Sequence, residues 1–369
     1  MDFLAWLMTY VVPFLVVITV IVFVHEMGHY LVARWNGVAV QTFSIGFGPE
    51  LIGFNDRGGT RWRLSAIPLG GYVRFLGDMN AASMPDEAAI AAADPALRPK
   101  LFVNKNVWRR IAVVVAGPAA NVVFTFVVLY ALLLGFGRYT VPATIDAVTP
   151  GSVAAQAGME AGDRILSVDG FEVRGFEDFQ RLIATAPERQ VTVVLNRDGQ
   201  TRTLSMVPEA ASETDRFGES HRIGRIGVSK SIDRSAVELY RPNPVEAVGM
   251  TVEEVRFILD RTAAFLGDFF VGRGDPQQLG GPVKVAEVSG QAASLGIAPL
   301  INLMALLSLN IGIFNLLPIP LLDGGHLAYY LVEAVRGRPL SQRVQEIGFR
   351  FGLAIVFTLM AFTIINDLL

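Results

Sequence analysis

Phe14-Leu15-Val16-Val17-Ile18-Thr19-Val20-Ile21-Val22-Phe23-Val24-His25-Glu26-Met27-Gly28-His29 carries an apolar run directly into a cluster of ionisable side chains. The run starts at Leu4 and continues past the cluster toward Ala33. A bilayer core takes about 20 apolar residues of helix, so this stretch reads as a membrane span with His25-Glu26-Met27-Gly28-His29 near its far end. Residues i and i+4 of a helix share a face, so His25 and His29 reach one ion while Glu26 stands beside it. A catalytic zinc takes three protein ligands and keeps one position for water, which a neighbouring glutamate activates as base. Ionisable groups in a span are costly and point to function by default. The chain has only four histidines, which leaves little room for a chance match. The plain alternative is a pair of interfacial histidines with Glu26 as a solvated neighbour.

The rest of the chain fits a membrane protein. It has 369 residues, 52% of them hydrophobic, and a mean hydropathy of +0.44. Three further stretches are long and apolar: Ile111–Phe136, Pro299–Leu322 and Phe351–Ile365, the last with the shortest apolar core. Asp2 precedes the first run with no basic residue, and no small-residue cleavage site follows, so the first span is expected to be retained rather than removed as a signal peptide. Residues 34–110 hold ten Lys and Arg against six Asp and Glu, whereas residues 137–298 hold seventeen against twenty-two. Arg336, Arg338, Arg343 and Arg350 follow the third span. Basic loops stay in the cytoplasm, so residues 34–110 are expected inside, with the long middle region and both termini outside. The formal net charge of −3 gives no basis for nucleic-acid binding. The absence of cysteine excludes a disulfide scaffold and a Cys-ligated metal.

The expected division is a first transmembrane helix at 1–35, an apolar β-hairpin loop at 36–78, a cytoplasmic connector at 79–106 and a second transmembrane helix at 107–137. An exported α/β module follows at 138–231, then an amphipathic helical linker at 232–298. The third span is expected at 299–332, a cytoplasmic loop at 333–349 and the fourth span at 350–369. Within the linker, Val248, Val252, Val255, Ile258 and Leu259 recur with helical period, as on a helix lying along a membrane surface.

A third ligand must come from elsewhere. Asp323 is the best candidate, in Asn315-Leu316-Leu317-Pro318-Ile319-Pro320-Leu321-Leu322-Asp323-Gly324-Gly325-His326. The two prolines remove backbone donors and break the helix near the end of the third span. Non-helical backbone is tolerated at membrane depth where it lines a cavity or is buried in protein. The alternatives are an interfacial turn aspartate, and His326 as a rival ligand. His221 reads as a surface residue. The charge rule, applied without regard to metal, brings His25, His29 and Asp323 to the same side. In the second span, Ala116-Gly117-Pro118-Ala119-Ala120-Asn121 sets small residues and one amide in an apolar helix. Gly117, Pro118 and Asn121 either serve packing alone or support the site directly. Asn315 either holds a substrate backbone or oxyanion or plays no part.

Taken together, His25–His29, Leu322-Asp323-Gly324 and the second-span Gly117-Pro118-x-x-Asn121 resemble the site-2 protease family over nearly the whole chain, in particular its bacterial regulator-of-sigma-E branch. The resemblance implies a polytopic α-helical membrane protein with four transmembrane helices, a membrane-associated β-hairpin loop and an inserted α/β PDZ domain. By the same resemblance His25, His29 and Asp323 bind Zn2+ and Glu26 is the general base. Residues 41–77 look like the family's membrane-re-entrant β-loop, whose edge pairs with an unwound substrate strand. Gly70, Gly71, Tyr72 and Val73 are candidates for that edge, a plain cytoplasmic hairpin being the alternative. Pro150-Gly151-Ser152-Val153-Ala154, Ala157-Gly158 and Gly162-Asp163-Arg164-Ile165 look like a PDZ domain of the permuted bacterial type. The best-known enterobacterial members carry two such domains, and this sequence shows one.

The implied activity is regulated intramembrane proteolysis in the bacterial inner membrane, with the active site toward the cytoplasm and the PDZ domain in the periplasm. The implied substrates are single-span proteins already trimmed by a periplasmic site-1 protease, such as anti-sigma factors, and signal-peptide remnants. Two other readings remain: a zincin with a soluble active site, and a PDZ-bearing membrane scaffold with a structural zinc.

Overall fold

The computed structural model describes residues 3–78, 90, 94–214, 220–231, 237–272 and 280–368. It divides into two compact units, Met1–Leu129 with Ala264–Leu369, and Tyr130–Ala263.

The first unit holds helices long and apolar enough to cross a membrane: Leu7–Trp35, Ile297–Asn315 and Arg343–Asp367, together with most of Val107–Phe136. The first is an α-helix over Val12–Trp35 preceded by a π-helical turn at Leu7–Val11. Pro13 at the start of the α-helix cannot donate to the preceding turn, which accounts for the wider turn there. Val17 and Ile21 of the first span and Met304 of the third form one buried cluster. Thr125 Oγ1 of the second span donates to Ala305 O of the third at 2.9 Å, which satisfies a hydroxyl that lipid could not.

The stretch expected as one span at 299–332 is two helices, Ile297–Asn315 and Asp323–Arg336, separated by a loop. The loop expected at 333–349 is mostly helix: the last helix begins at Gln342, and Gly337, with φ 69°, turns the chain between the two. Arg336, Arg343 and Arg350 are good helix formers, so the helices run on beyond their apolar cores. Of the expected connector, residues 79–89 and 91–93 lie outside the described residues, and Leu101 and Phe102 are buried.

Residues 40–75 form two long strands, β1 (Val40–Asn55) and β2 (Arg61–Phe75). Each bends so that Ile45 is paired with both Gly71 and Leu64, and Phe43 with both Val73 and Trp62. Thr42–Ile45 therefore lie between two runs of β2, antiparallel to Gly71–Arg74, while beside Arg61–Leu64 the partner numbers rise together. Glu50–Asn55 closes the other side of Arg61–Ser65. Gly71–Phe75 has one strand partner among the described residues and is an edge. Asp56 at the turn accepts from Gly58 N, Thr60 N, Trp62 Nε1 and, on the first span, Tyr30 Oη. Burial pushes its carboxyl up, but these donors more than offset that and hold it at about 2. Distal side chains Leu51, Ile52 and Phe54 are more than 60% exposed, an apolar patch of the kind that marks a contact surface.

The second unit contains a four-stranded sheet in the order Phe171–Glu172, Arg164–Val168, Val191–Arg197, Gln200–Met206. Val168, Val191, Val193 and Leu195 are fully buried beneath the helix Phe176–Ala184, whose Phe179, Leu182 and Ile183 face them. The side chain of His221 lies outside the described residues.

The expected linker at 232–298 is divided differently. The helix Pro244–Phe270 packs on the sheet unit: Phe257 meets Phe171 edge-on at 5.8 Å, and Glu253 and Glu254 pair with Arg174 and Arg181. Val255 and Ile258 are buried, whereas Val248, Val252 and Leu259 stay exposed. Periodicity shows that a helix has an apolar face, not what the face covers. The next helix, Pro282–Ser294, belongs to the first unit, with Gly290 against Thr9 and Tyr10 at the π-helical turn.

Asp163 is fully buried and accepts from Arg197 Nε at 2.6 Å and Nη2 at 2.7 Å and from Glu160 N at 2.9 Å. Burial raises its carboxyl pKa, but these bonds outweigh it and the net shift is downward. A depressed folded pKa contributes stability above the unfolded value, lost as pH falls through the folded one. Asp163→Asn should destabilise this unit by about 3 kcal/mol near neutral pH, and the deficit should shrink below about pH 4. Hydrogen exchange of Val191–Arg197 in the full-length protein checks both.

Candidate metal centre

The first span brings the two imidazoles together. His25 Nε2 and His29 Nε2 lie 3.2 Å apart, as i and i+4 on one helix face require. Between them, Gly28 lets the second span come close, since a methyl group there would overlap the Ala116 carbonyl and stand 2.7 Å from Ala120 Cβ. Gly117 does the same from the other side: a methyl there would overlap the His29 ring and stand 2.9 Å from His25 Cε1. No larger residue fits at either position without moving a helix.

The rest of the second-span motif addresses the far nitrogens of the rings. Pro118 has no N–H for the preceding turn, and its ring crowds that turn. One residue before the carbonyl left without a helical donor, Val113 O accepts from His29 Nδ1 at 2.8 Å. This bond fixes the proton on Nδ1 and leaves the lone pair on Nε2. Asn121 is fully buried, with Nδ2 3.3 Å from His25 Nδ1 and Oδ1 without a partner. Amide O and N are a matter of assignment; the opposite orientation lets Oδ1 accept from His25 Nδ1–H and leaves that Nε2 bare as well. Such partners set the tautomer of metal-binding histidines.

The third donor arrives by a broken helix. The third span stops at Asn315, and Pro318 and Pro320 keep Leu316–Leu322 out of helical form. Leu321 holds φ 107°, a conformation that costs a residue with a side chain about 1–3 kcal/mol and persists only when its surroundings enforce it. Asp323 then opens a new helix. Gly324 and Gly325 have no room for a methyl, which would overlap Leu316 O and Leu317 O at the first and stand 2.5 Å from Ile319 O at the second. The helix is held to the second span by a half-buried pair between Arg110 and Glu333, with the Arg110 guanidinium 4.8 Å over the Tyr330 ring.

Asp323 Oδ2 lies 3.1 Å from His25 Nε2 and 3.4 Å from His29 Nε2, yet makes no hydrogen bond and is buried. Three donor atoms thus form a nearly equilateral triangle. Four ligands at the usual zinc distances around a tetrahedral ion stand about 3.3–3.4 Å apart, so the triangle is three corners of such a site. His25, His29 and Asp323 form the one metal-capable group among the described residues.

Glu26 directly follows His25 on the first span and lies against the sheet edge at Gly71. Gly71 makes the approach possible, since a methyl there would meet Val22 Cγ1 at 2.9 Å and Glu26 Cγ at 3.4 Å. Gly70, with φ 133°, turns the strand beside Phe47, and Tyr72 stacks on Phe47 at 6.0 Å.

Two candidates are not among the converging donors. Asn315 ends the third-span helix. His326 is one turn beyond Asp323, its ring against Tyr329 and Tyr330 at 6.4 and 6.5 Å, and it is not among the converging donors. Val113 was not legible in advance, because it acts through a carbonyl that any residue carries.

Asn121→Ala should weaken zinc binding about 10–100-fold, and Asn121→Asp, which keeps an acceptor for His25 Nδ1–H, should weaken it less. Chelator competition on the purified protein measures both, and the reverse ranking would contradict the assigned amide orientation.

Comparison with known proteins bears on the same residues. The family model described as Peptidase family M50 matches residues 13–359. A protein of Mesorhizobium japonicum, provisionally named a zinc metalloprotease, is 49% identical over 358 residues, covering 97% of this chain and 98% of that one. Metalloprotease MmpA of Caulobacter vibrioides is 37% identical over 379 residues, covering 97% and 94%. Among solved structures, the PDZ domain of an SdrC-like protein from Listeria monocytogenes aligns with 23% of this chain and 83% of that one, at 20% identity and a TM-score of 0.19. The chain belongs to peptidase family M50, the site-2 protease family of zinc metalloendopeptidases.

Proposed function

We propose that this membrane protein cleaves peptide bonds within or near transmembrane segments, with His25, His29 and Asp323 holding Zn2+ and Glu26 as general base. The observation that carries the proposal is the converging triangle of His25, His29 and Asp323 with Glu26 next to it on the same helix, against Gly71 of the free edge of β2. A structural zinc wants four protein ligands, whereas three with a free position suit catalysis, and this disfavours a scaffold. Zn2+ held there polarises the scissile carbonyl and acidifies a water at neutral pH. Glu26 accepts the proton of the attacking water and returns it to the departing amine as the C–N bond breaks. The edge strand Gly71–Phe75, with Gly70 at its turn, pairs with the substrate in extended form. A helix keeps its carbonyls in its own ladder, so its peptide bonds must be drawn into a strand before attack. Asn315 is a further candidate to bind the substrate backbone.

The substrates we infer are single-span proteins already trimmed on the outer side by a site-1 protease, of the anti-sigma-factor class, and signal-peptide remnants. The charge distribution supports an inner-membrane location with the metal toward the cytoplasm and the PDZ module in the periplasm. That module carries a groove of about 470 Å³ between Phe176, Phe179 and Ile183 of its helix and the stretch Ile226-Gly227-Val228. A trimmed chain end is its proposed ligand.

Glu26→Gln should cut cleavage of a reporter span by about 10²–10⁴-fold while zinc content stays at the wild-type level. Undiminished cleavage would exclude Glu26 as the base. The same variant, retaining bound substrate, identifies the substrates by mass spectrometry.

A further inference from the structure

The fourth span supplies no donor to the metal, and only 6% of its most apolar stretch is buried. Gly348 and Gly352 nevertheless lie on one face of it, four residues apart, against the loop that delivers Asp323. A methyl on Gly352 would overlap the Pro320 carbonyl oxygen and stand 3.0 Å from Pro320 Cβ. A methyl on Gly348 would overlap Tyr329 Oη and stand 3.7 Å from Pro320 Cβ. Tyr329 Oη is buried without a hydrogen bond and lies close to Gly348. Small residues at this spacing let backbones approach closely in lipid.

Among the described residues the loop's own backbone bonds are local, such as Ile319 N to Leu317 O at 2.7 Å and Leu322 N to Ile319 O at 3.0 Å. Pro320 directly precedes Leu321, the residue with φ 107°, and stands three residues before Asp323. A shift of the Pro320 peptide therefore passes through a constrained residue straight to the ligand.

We propose that Gly348 and Gly352 are positioning residues, whose bare backbone is the seat that holds the Pro320 peptide and so fixes Asp323 Oδ2 opposite the two imidazoles. The inference rests on the reading of Asp323 as a metal ligand. The two glycines differ in what can yield. At Gly348 the obstacle is the end of a tyrosine side chain, which Tyr329→Phe shortens; at Gly352 it is backbone, which no side-chain change relieves.

The test uses the full-length protein in detergent micelles, with zinc affinity from chelator competition, the visible absorption of the Co2+-loaded form, and size-exclusion chromatography for assembly. Gly352→Ala should lower zinc affinity about tenfold or more and alter the cobalt spectrum. Gly348→Ala should do so more weakly, and adding Tyr329→Phe should restore both readouts. Wild-type zinc affinity with an unchanged cobalt spectrum in Gly352→Ala would overturn the proposal. If Gly352→Ala does not assemble, the Gly348 pair decides: no loss in Gly348→Ala, or no recovery in the double variant, overturns it. Asp323→Ala separates the two levels. Zinc retained there removes the ligand reading and the seat with it; zinc lost there but kept in the glycine variants removes the seat alone.

Discussion

Three lone pairs, two from imidazoles and one from a carboxylate, converge to within 3.4 Å in a buried place between membrane helices. With nothing between them they would repel, and each would cost desolvation free energy without return. A cation at their centre reverses that balance, and much of the surrounding structure serves to bring them there. Gly28 and Gly117 remove the bulk that would keep the first two spans apart. Val113 O binds the outer nitrogen of one ring and Asn121 faces that of the other. The broken third span turns Asp323 back toward the first.

The same convergence explains the neighbouring sheet. On the proposed mechanism a base must stand beside the metal and beside the peptide to be cut; Glu26 directly follows His25 on the first span, and Gly71 of the strand edge leaves room for it. The sheet is held to the first span at its turn by Tyr30 and Asp56. It also reaches the Asp323 helix through aromatic contacts, Phe75 on Phe102 at 4.7 Å and Phe102 against Tyr330 at 6.2 Å. Metal donors, base and strand edge thus belong to one continuous set of contacts. In the proposed function, hydrolysis at membrane depth would depend on that continuity, since a helical substrate would have to exchange its own hydrogen bonds for those of a strand.

Much of this was legible in the residues. The spacing of His25, Glu26 and His29 needs only helical geometry to be read, and the two prolines before Asp323 announce a broken span. The folding of β1 and β2 into four runs was not legible, because continuous strands with irregular register look like one hairpin. The amphipathic pattern in 232–298 says only that a face is covered, and the cover is protein for Val255 and Ile258. Gly348 and Gly352 flank Phe349-Arg350-Phe351, where a glycine pair reads as an interruption rather than a contact surface.

The most direct test of the central claim is X-ray absorption at the zinc edge on the purified protein. Two imidazoles and oxygen donors from Asp323 and solvent are predicted around one zinc, with no sulfur. A third imidazole would bring His326 or His221 into the site and contradict the assignment, as would the absence of bound zinc.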